Sequence, residues 1–250
     1  MLKRNANPTR LKVGHKADSD SPSLADKAYE QIREAILQGN LAVGDVLSRR
    51  RLAAEFNMSF LPITEALQRL ESEGLVESRP RIGTRVRIPT KQDILDSFVI
   101  REALESQAAR LCCAEMTDPE REQFTRSAQL LDNLFKVGAS ETEDSRFLFS
   151  VHTYHTQFHE SIAEMSRSPG LLKAIKKEQV LIFNWVYDTA THRRFLPTGF
   201  HHELAEAICS GNPTKADEAM RSHVRYGLSD VVEGLATLEV EKGWRLKRVG

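Results

Sequence analysis

Residues 48–74 read SRRRLAAEFNMSFLPITEALQRLESEG, two short helical segments broken by one tight turn. Ser48 is a candidate N-cap for the first, in which Leu52, Ala53 and Phe56 share a face. Asn57-Met58 forms the turn. Ser59 caps the second segment, where Pro62 is tolerated in the first turn and Ile63, Ala66, Leu67 and Leu70 form the buried side up to Gly74. Helices joined by so short a turn cannot pack along their whole length. They cross steeply, and the second is left free to enter a major groove.

The flanks complete a module. On the N-terminal side, Ser23 caps a helix whose apolar positions Leu24, Ala28, Ile32, Ala35 and Ile36 repeat at helical spacing, and Gly39-Asn40 stops it. On the C-terminal side, Leu75 to Ser78 and Thr84 to Ile88 read as strands, with Arg79 to Gly83 as the hairpin tip. Residues 23–89 therefore read as a winged helix-turn-helix, preceded by a polar tail over 1–22 that reads as disordered. Its partner would be double-stranded DNA. Arg49, Arg50, Arg51, Arg79 and Arg81 are placed to meet phosphate or the minor groove, with Thr84 beside them on the wing. Ser59, Phe60, Leu61 and Thr64 lie at the start of the recognition helix, where bases are read.

The charge balance hides this. The 250 residues carry 35 Lys+Arg and 35 Asp+Glu, a formal net charge of zero that by itself speaks against a nucleic-acid binder. Counted by segment, residues 1–90 hold 15 basic and 11 acidic side chains, and the remainder hold 20 and 24. A basic module is joined to an acidic one. Clustered arginines are what a phosphate-contacting face needs, because each cation near DNA releases condensed counterions; a charge run alone is more often a solvated face. Apolar runs are far too short to cross a bilayer, so no membrane partner is expected. The first residues lack the apolar core of a secretory signal. Cys112, Cys113 and Cys209 supply neither a disulfide framework nor a metal knuckle, and they fit a cytoplasmic protein in which they are small core residues.

From residue 90 to 240 the pattern is helical throughout: 92–115, 118–137, 142–166, 169–189, 198–210 and 213–238, followed by a tail over 241–250. Asp118-Pro119, Ser168-Pro169 and Asn212-Pro213 are starts of the cap-then-proline type, and Leu104, Ala108 and Leu111 form a one-sided stripe. The fold class is mainly α, a winged helix-turn-helix followed by an antiparallel all-helical bundle of six to seven helices. Such bundles hold ligands and metals between their helices. Seven of the eight histidines fall between His152 and His223. His155 and His159 are four apart, so both imidazoles leave one helix face, as two metal ligands on a helix must; lone helical histidines are more often surface or core residues.

Three segments of the first module resemble the DNA-binding domain of the bacterial GntR transcription regulators: QGNLAVGDVLS (38–48), RLAAEF (51–56) and EALQRLESEGLVE (65–77). The family's usual Ser-Arg-Thr-Pro-Val-Arg-Glu-Ala is here Ser59-Phe60-Leu61-Pro62-Ile63-Thr64-Glu65-Ala66, without either arginine. Guanine readout by those arginines is therefore absent. Phe60 and Leu61 either meet thymine methyl groups or pack locally. Arg50 matches a family arginine of the preceding helix.

The second module, through HTQFHESI (155–162), HHELAEAICSGN (201–212) and AMRSH (219–223), resembles the FCD ligand-binding domain of the FadR-like GntR subgroup. The resemblance implies a divalent transition metal held by His155, His159, His201 and His223, with His155 where the family usually has Asp. Four imidazoles suit Zn²⁺, with Ni²⁺ possible, better than a hard cation. His152, His192 and His202 read as ordinary exposed histidines. Arg101 matches a family arginine and stands among core residues; it is either a clamp on a small carboxylate effector or the salt-bridge partner of Glu105. Asn184, Tyr187 and Arg194 would line the same pocket. The implied function is a regulator, in its simplest form a repressor, working as a homodimer on a near-palindromic operator and controlled by an organic acid bound with the metal. A sensor of the metal itself is the alternative, and a metal-dependent hydrolase a more distant one.

Overall fold

In the computed structural model the chain is described over residues 22–81, 83–140, 145–178 and 196–241. The first module contains α1 (Leu24–Leu37), β1 (Val46–Leu47), α2 (Arg49–Glu55), α3 (Phe60–Ser72), β2 (Val76–Arg79) and β3 (Gly83–Val86). Ser23 caps α1 in a full capping box with Asp26, and the Ser48 hydroxyl accepts the Arg51 amide at the start of α2. Asn57, at φ 51°, takes the left-handed turn between α2 and α3, a conformation that asparagine tolerates better than most residues. Ser59 stands at the N-cap of α3 with extended backbone but makes no side-chain cap bond, contrary to expectation. The sheet has one strand more than the sequence suggested: β1 pairs with β3, which pairs with β2, all antiparallel. With two residues, β1 is too short to show an alternating pattern.

α1 packs on α3, and Ile32, Ile36, Leu52, Ile63, Leu70 and Leu75 are fully buried between them and the sheet. The Tyr29 hydroxyl donates to Glu73 across this contact at 2.7 Å, and Arg69 lies 3.7 Å over the Tyr29 ring.

The second module is helical, as expected: α4 (Lys91–Glu115), α5 (Asp118–Ser140), α6 (Ser145–Met165), α7 (169–178), α8 (Phe200–Cys209) and α9 (Pro213–Glu241). α4 begins in a capping box formed by Thr90 and Asp93 and lies against α9, α6 and α8; α5 packs on α6 and α8. The buried side of α4 is not the leucine stripe. It runs through Ile94, Phe98, Arg101, Glu105, Ala108 and Cys112, while Leu104 and Leu111 sit at its margin. Two charged side chains thus occupy core positions at helical spacing. Cys112 and Cys113 are buried free thiols and Cys209 is partly buried; burial pushes the Cys112 thiol up to about 12, as suits a packing residue. No described helix is long and apolar enough to cross a membrane.

Candidate functional site

α6 brings His155 and His159 to one face, α8 supplies His201 from its first turn, and α9 supplies His223. The Nε2 atoms of His155 and His159 stand 3.0 Å apart, and those of His159 and His223 stand 3.2 Å apart. Three nitrogens at zinc-binding distance and tetrahedral angles would be about 3.3 Å from one another. The ligand atoms of these three histidines all lie within 4.8 Å of each other. His201 stands beside this group and not within it, its ring centroid 4.9 Å from that of His155 and 5.3 Å from that of His223, and its Nε2 is buried without a hydrogen-bond partner among the described residues. A ring nitrogen carries one proton or one lone pair, so the His159 Nε2 cannot bond both neighbouring Nε2 atoms at once, and the donor set fits a soft or borderline divalent cation.

Electrostatics keep His155, His201 and His223 in their ligand form. Burial, then the neighbouring imidazoles, hold His155 and His223 well below the usual histidine range. Burial also lowers His201, although Asp132 opposes it. Neutral imidazole is the metal-binding species.

Behind the histidines stand two carboxylates. Glu105 Oε2 lies 2.6 Å from His159 Nδ1, a close contact without good hydrogen-bond alignment, and its other oxygen accepts from Arg101 Nε at 2.7 Å. Burial pushes the Glu105 carboxyl up, but Arg101 and His159 outweigh it and hold it at about 2. Arg101 is therefore engaged in the salt bridge that was one of its two readings, with its guanidinium 5.0 Å from the Phe98 ring centre. Asp132 of α5 meets His201 in a hydrogen bond, its Oδ1 2.7 Å from Nδ1. Sequence reasoning took Glu105 only as a partner for Arg101 and did not single out Asp132. The signal available for Asp132 was an acid flanked by Leu131 and Phe135 on the apolar side of α5. Asn184, Tyr187, Arg194 and His192 lie outside the described residues. His202 turns to Glu206 at 3.5 Å, and His152 sits edge-on to Phe135. A groove of about 500 Å³ between α8 and α9 reaches His223, whose ring stacks on Phe200 at 4.4 Å.

The first module offers a second face. Arg49, Arg50 and Arg51 are exposed at the start of α2, and Arg51 reaches Glu55 at 3.8 Å. Phe60 and Leu61 are 59% and 67% exposed, so neither packs locally. The Thr64 hydroxyl donates to the Phe60 carbonyl, holding the first turn of α3. Arg81 is exposed at the wing tip with φ 67°. Other wing charges are internally paired: Arg79 and Arg85 with Glu77, and Arg87 with Asp93. Thr84 corrects an expectation. It was placed among the DNA contacts, but it is only 5% exposed, because in β3 it alternates inward with Val86, and its hydroxyl lies 3.1 Å from Ser78 Oγ across the sheet.

Comparison with known proteins agrees with both modules. Residues 24–86 match the model of the bacterial regulatory proteins of the gntR family, and residues 96–226 match the FCD domain. A relative described as "Probable D-xylose utilization operon transcriptional repressor" from Paenarthrobacter nicotinovorans is 27% identical over 203 residues, 81% of this chain and 86% of the relative. The HTH-type transcriptional repressor GlaR of Escherichia coli K12 is 26% identical over 214 residues, 83% of this chain and 96% of the relative. Among solved structures, E. coli McbR/YncC superposes with a TM-score of 0.68 at 18% identity, covering 86% of this chain and all of that one, which supports the fold. The chain belongs to the GntR family of DNA-binding transcription regulators, in the group that carries an FCD domain.

Proposed function

We propose that the chain represses transcription as a homodimer on a near-palindromic operator, and that a small carboxylate bound with Zn²⁺ or a similar transition metal in the helical domain controls its grip on DNA. The convergence of three imidazole Nε2 atoms, 3.0 and 3.2 Å apart in a buried pocket backed by Glu105, carries this reading. His155, His159, His201 and His223 would hold the metal, which supplies a Lewis-acid centre for an anionic ligand. On the other module, Arg49 and Arg50 face the phosphate backbone, Phe60 and Leu61 meet thymine methyl groups, and Ser59, Thr64, Arg79 and Arg81 complete the contact surface. The names of two relatives as repressors support the direction of control.

A sensor of the metal alone is favoured by one observation: Arg101 already spends its Nε on Glu105, so an organic anion would have to be met by its terminal nitrogens. Selection of bound sequences from a random DNA pool, with and without Zn²⁺ and a panel of carboxylic acids, separates the two. A response needing both metal and acid supports the effector reading, whereas a response to metal alone supports the sensor. His159→Ala should lose zinc and the response while keeping DNA binding; wild-type protein that takes up no metal sinks both. Arg50→Ala should weaken binding evenly across sequences and reduce the salt slope by about one.

A further inference from the structure

Asp132 belongs to α5, yet it does the work of a cap for α8. The residue at the N-cap of α8 is Gly199, at φ 74°, which has no side chain to offer the first amides of the helix. Asp132 reaches across instead: its Oδ1 accepts the His201 amide at 3.0 Å and its Oδ2 accepts the His202 amide at 3.1 Å. The same Oδ1 lies 2.7 Å from His201 Nδ1. A carboxylate accepts hydrogen bonds and does not donate them, so the proton of the His201 ring sits on Nδ1 and the lone pair on Nε2. That Nε2 is fully buried, has no partner among the described residues, and its ring borders both His155 and His223. Metal-ligating histidines characteristically turn their second nitrogen to such a carboxylate, which fixes tautomer and orientation.

We infer that Asp132 is a positioning residue for the metal centre: by capping α8 and binding His201 Nδ1 with one carboxylate, it presents His201 Nε2 as the fourth ligand. This rests on the metal reading above. It also gives the domain a second carboxylate behind the histidines, so His201 and His159 are each backed from a different helix, α5 and α4. One carboxylate thus fixes both the start of α8 and the orientation of its histidine ring.

The test compares wild type, Asp132→Ala and Asp132→Asn in three measurements: Zn²⁺ affinity by competition with a chromogenic chelator, the visible spectrum with Co²⁺, and the His201 tautomer from ¹⁵N shifts of metal-free, histidine-labelled protein. Asp132→Ala should bind Zn²⁺ about ten- to hundredfold more weakly, show a Co²⁺ spectrum with one imidazole fewer, and lose the uniform Nδ1–H form. Asp132→Asn keeps an acceptor for that proton and should recover the tautomer and most of the affinity. A folded Asp132→Ala with wild-type affinity and spectrum overturns the role of Asp132 and leaves the metal reading standing. If Asp132→Ala does not fold, the wild-type tautomer decides: a proton on Nε2 of His201 overturns the inference and one on Nδ1 upholds it. Wild-type protein that binds neither cation, with His201 still protonated on Nδ1, removes the metal reading and this role with it.

Discussion

The two modules bury opposite kinds of interior. Before residue 91, Thr84 is the single buried polar side chain among the described residues; after it come Ser97, Arg101, Glu105, Ser106, His159, Ser166, His201 and His223. The winged module keeps its candidate contacts on the surface, where Arg49, Arg50, Phe60 and Leu61 are exposed around an apolar core. The helical domain places its candidate contacts inside. Stability does not explain the second choice, since burying charge costs several kcal/mol per ion and mutual attraction at best offsets it (order of magnitude). A ligand whose affinity depends on a dry, pre-arranged set of donors does explain it. One module meets its partner at the rim, and the other must take its partner into the core.

The largest test of this contrast is to break each interior at one point. Glu105→Ala leaves the Arg101 guanidinium buried without its counter-charge, and should cost about 3–5 kcal/mol in metal-free protein, read from urea unfolding followed by helical circular dichroism. Leu70→Ala in the winged module removes a fully buried side chain and should cost about 2–5 kcal/mol through the cavity it leaves. Although the two losses are similar in size, their causes differ. A Glu105→Ala cost below about 1 kcal/mol would mean that Arg101 finds water or another partner, and that the polar interior is not closed.

Replacing both charges separates the causes. The pair Arg101→Met with Glu105→Leu removes the charge burial instead of orphaning it, so metal-free stability should return to that of wild type or exceed it by about 1–4 kcal/mol. Zinc affinity should still fall, because His159 Nδ1 has lost the carboxylate facing it at 2.6 Å. Calorimetry of the metal-free double variant, with chelator competition beside it, checks both halves. A double variant as unstable as Glu105→Ala would show that the ion pair serves folding, and the contrast between the modules would then reduce to composition.

The sequence showed more of the winged module than of the site. Helix positions there are set by local signals, namely Ser23, Ser48, Gly39 and Gly74, and by apolar spacing against a polar face, so α1, α2 and α3 were legible. β1 was not, because two residues carry no alternation and their pairing with β3 is a long-range event. Thr84 was misjudged for a related reason: which face of a short strand turns inward is settled by its neighbours. In the helical domain, the i, i+4 spacing exposed His155 and His159, but the buried line of α4 was obscured, since Arg101 and Glu105 occupy positions that a hydrophobic pattern assigns to leucine. Asp132 showed only as an acid on the apolar side of α5, and its role stayed hidden because it depends on Gly199, distant in the chain. A missing cap on one helix is informative only once the helix that supplies it is known.

The smallest effect lies at the seam between the modules. Asp93 caps α4 through Thr90 and accepts from Arg87, which follows β3, at 2.7 Å. Arg87 and Asp93 border a groove of about 380 Å³ that Glu71, Glu73 and Glu178 also line. Burial raises the Asp93 carboxyl, but the Thr90 amide and hydroxyl and the Arg87 guanidinium outweigh it and hold it below the usual carboxylate range. A depressed folded-state pKa stabilises the fold at pH values above the unfolded value of about 3.9 and stops doing so as pH falls through the folded one. Asp93→Asn should therefore melt below wild type at neutral pH, and the two melting curves should converge as pH drops below about 4. Thermal melts in the presence of chelator, taken across that range, read this without interference from the histidine site. An offset that stays constant at every pH would mean that Asp93 acts through the shape of the α4 start alone. The Arg87 contact would then be incidental, and the DNA-facing module would be joined to the core of the second by packing and not by charge.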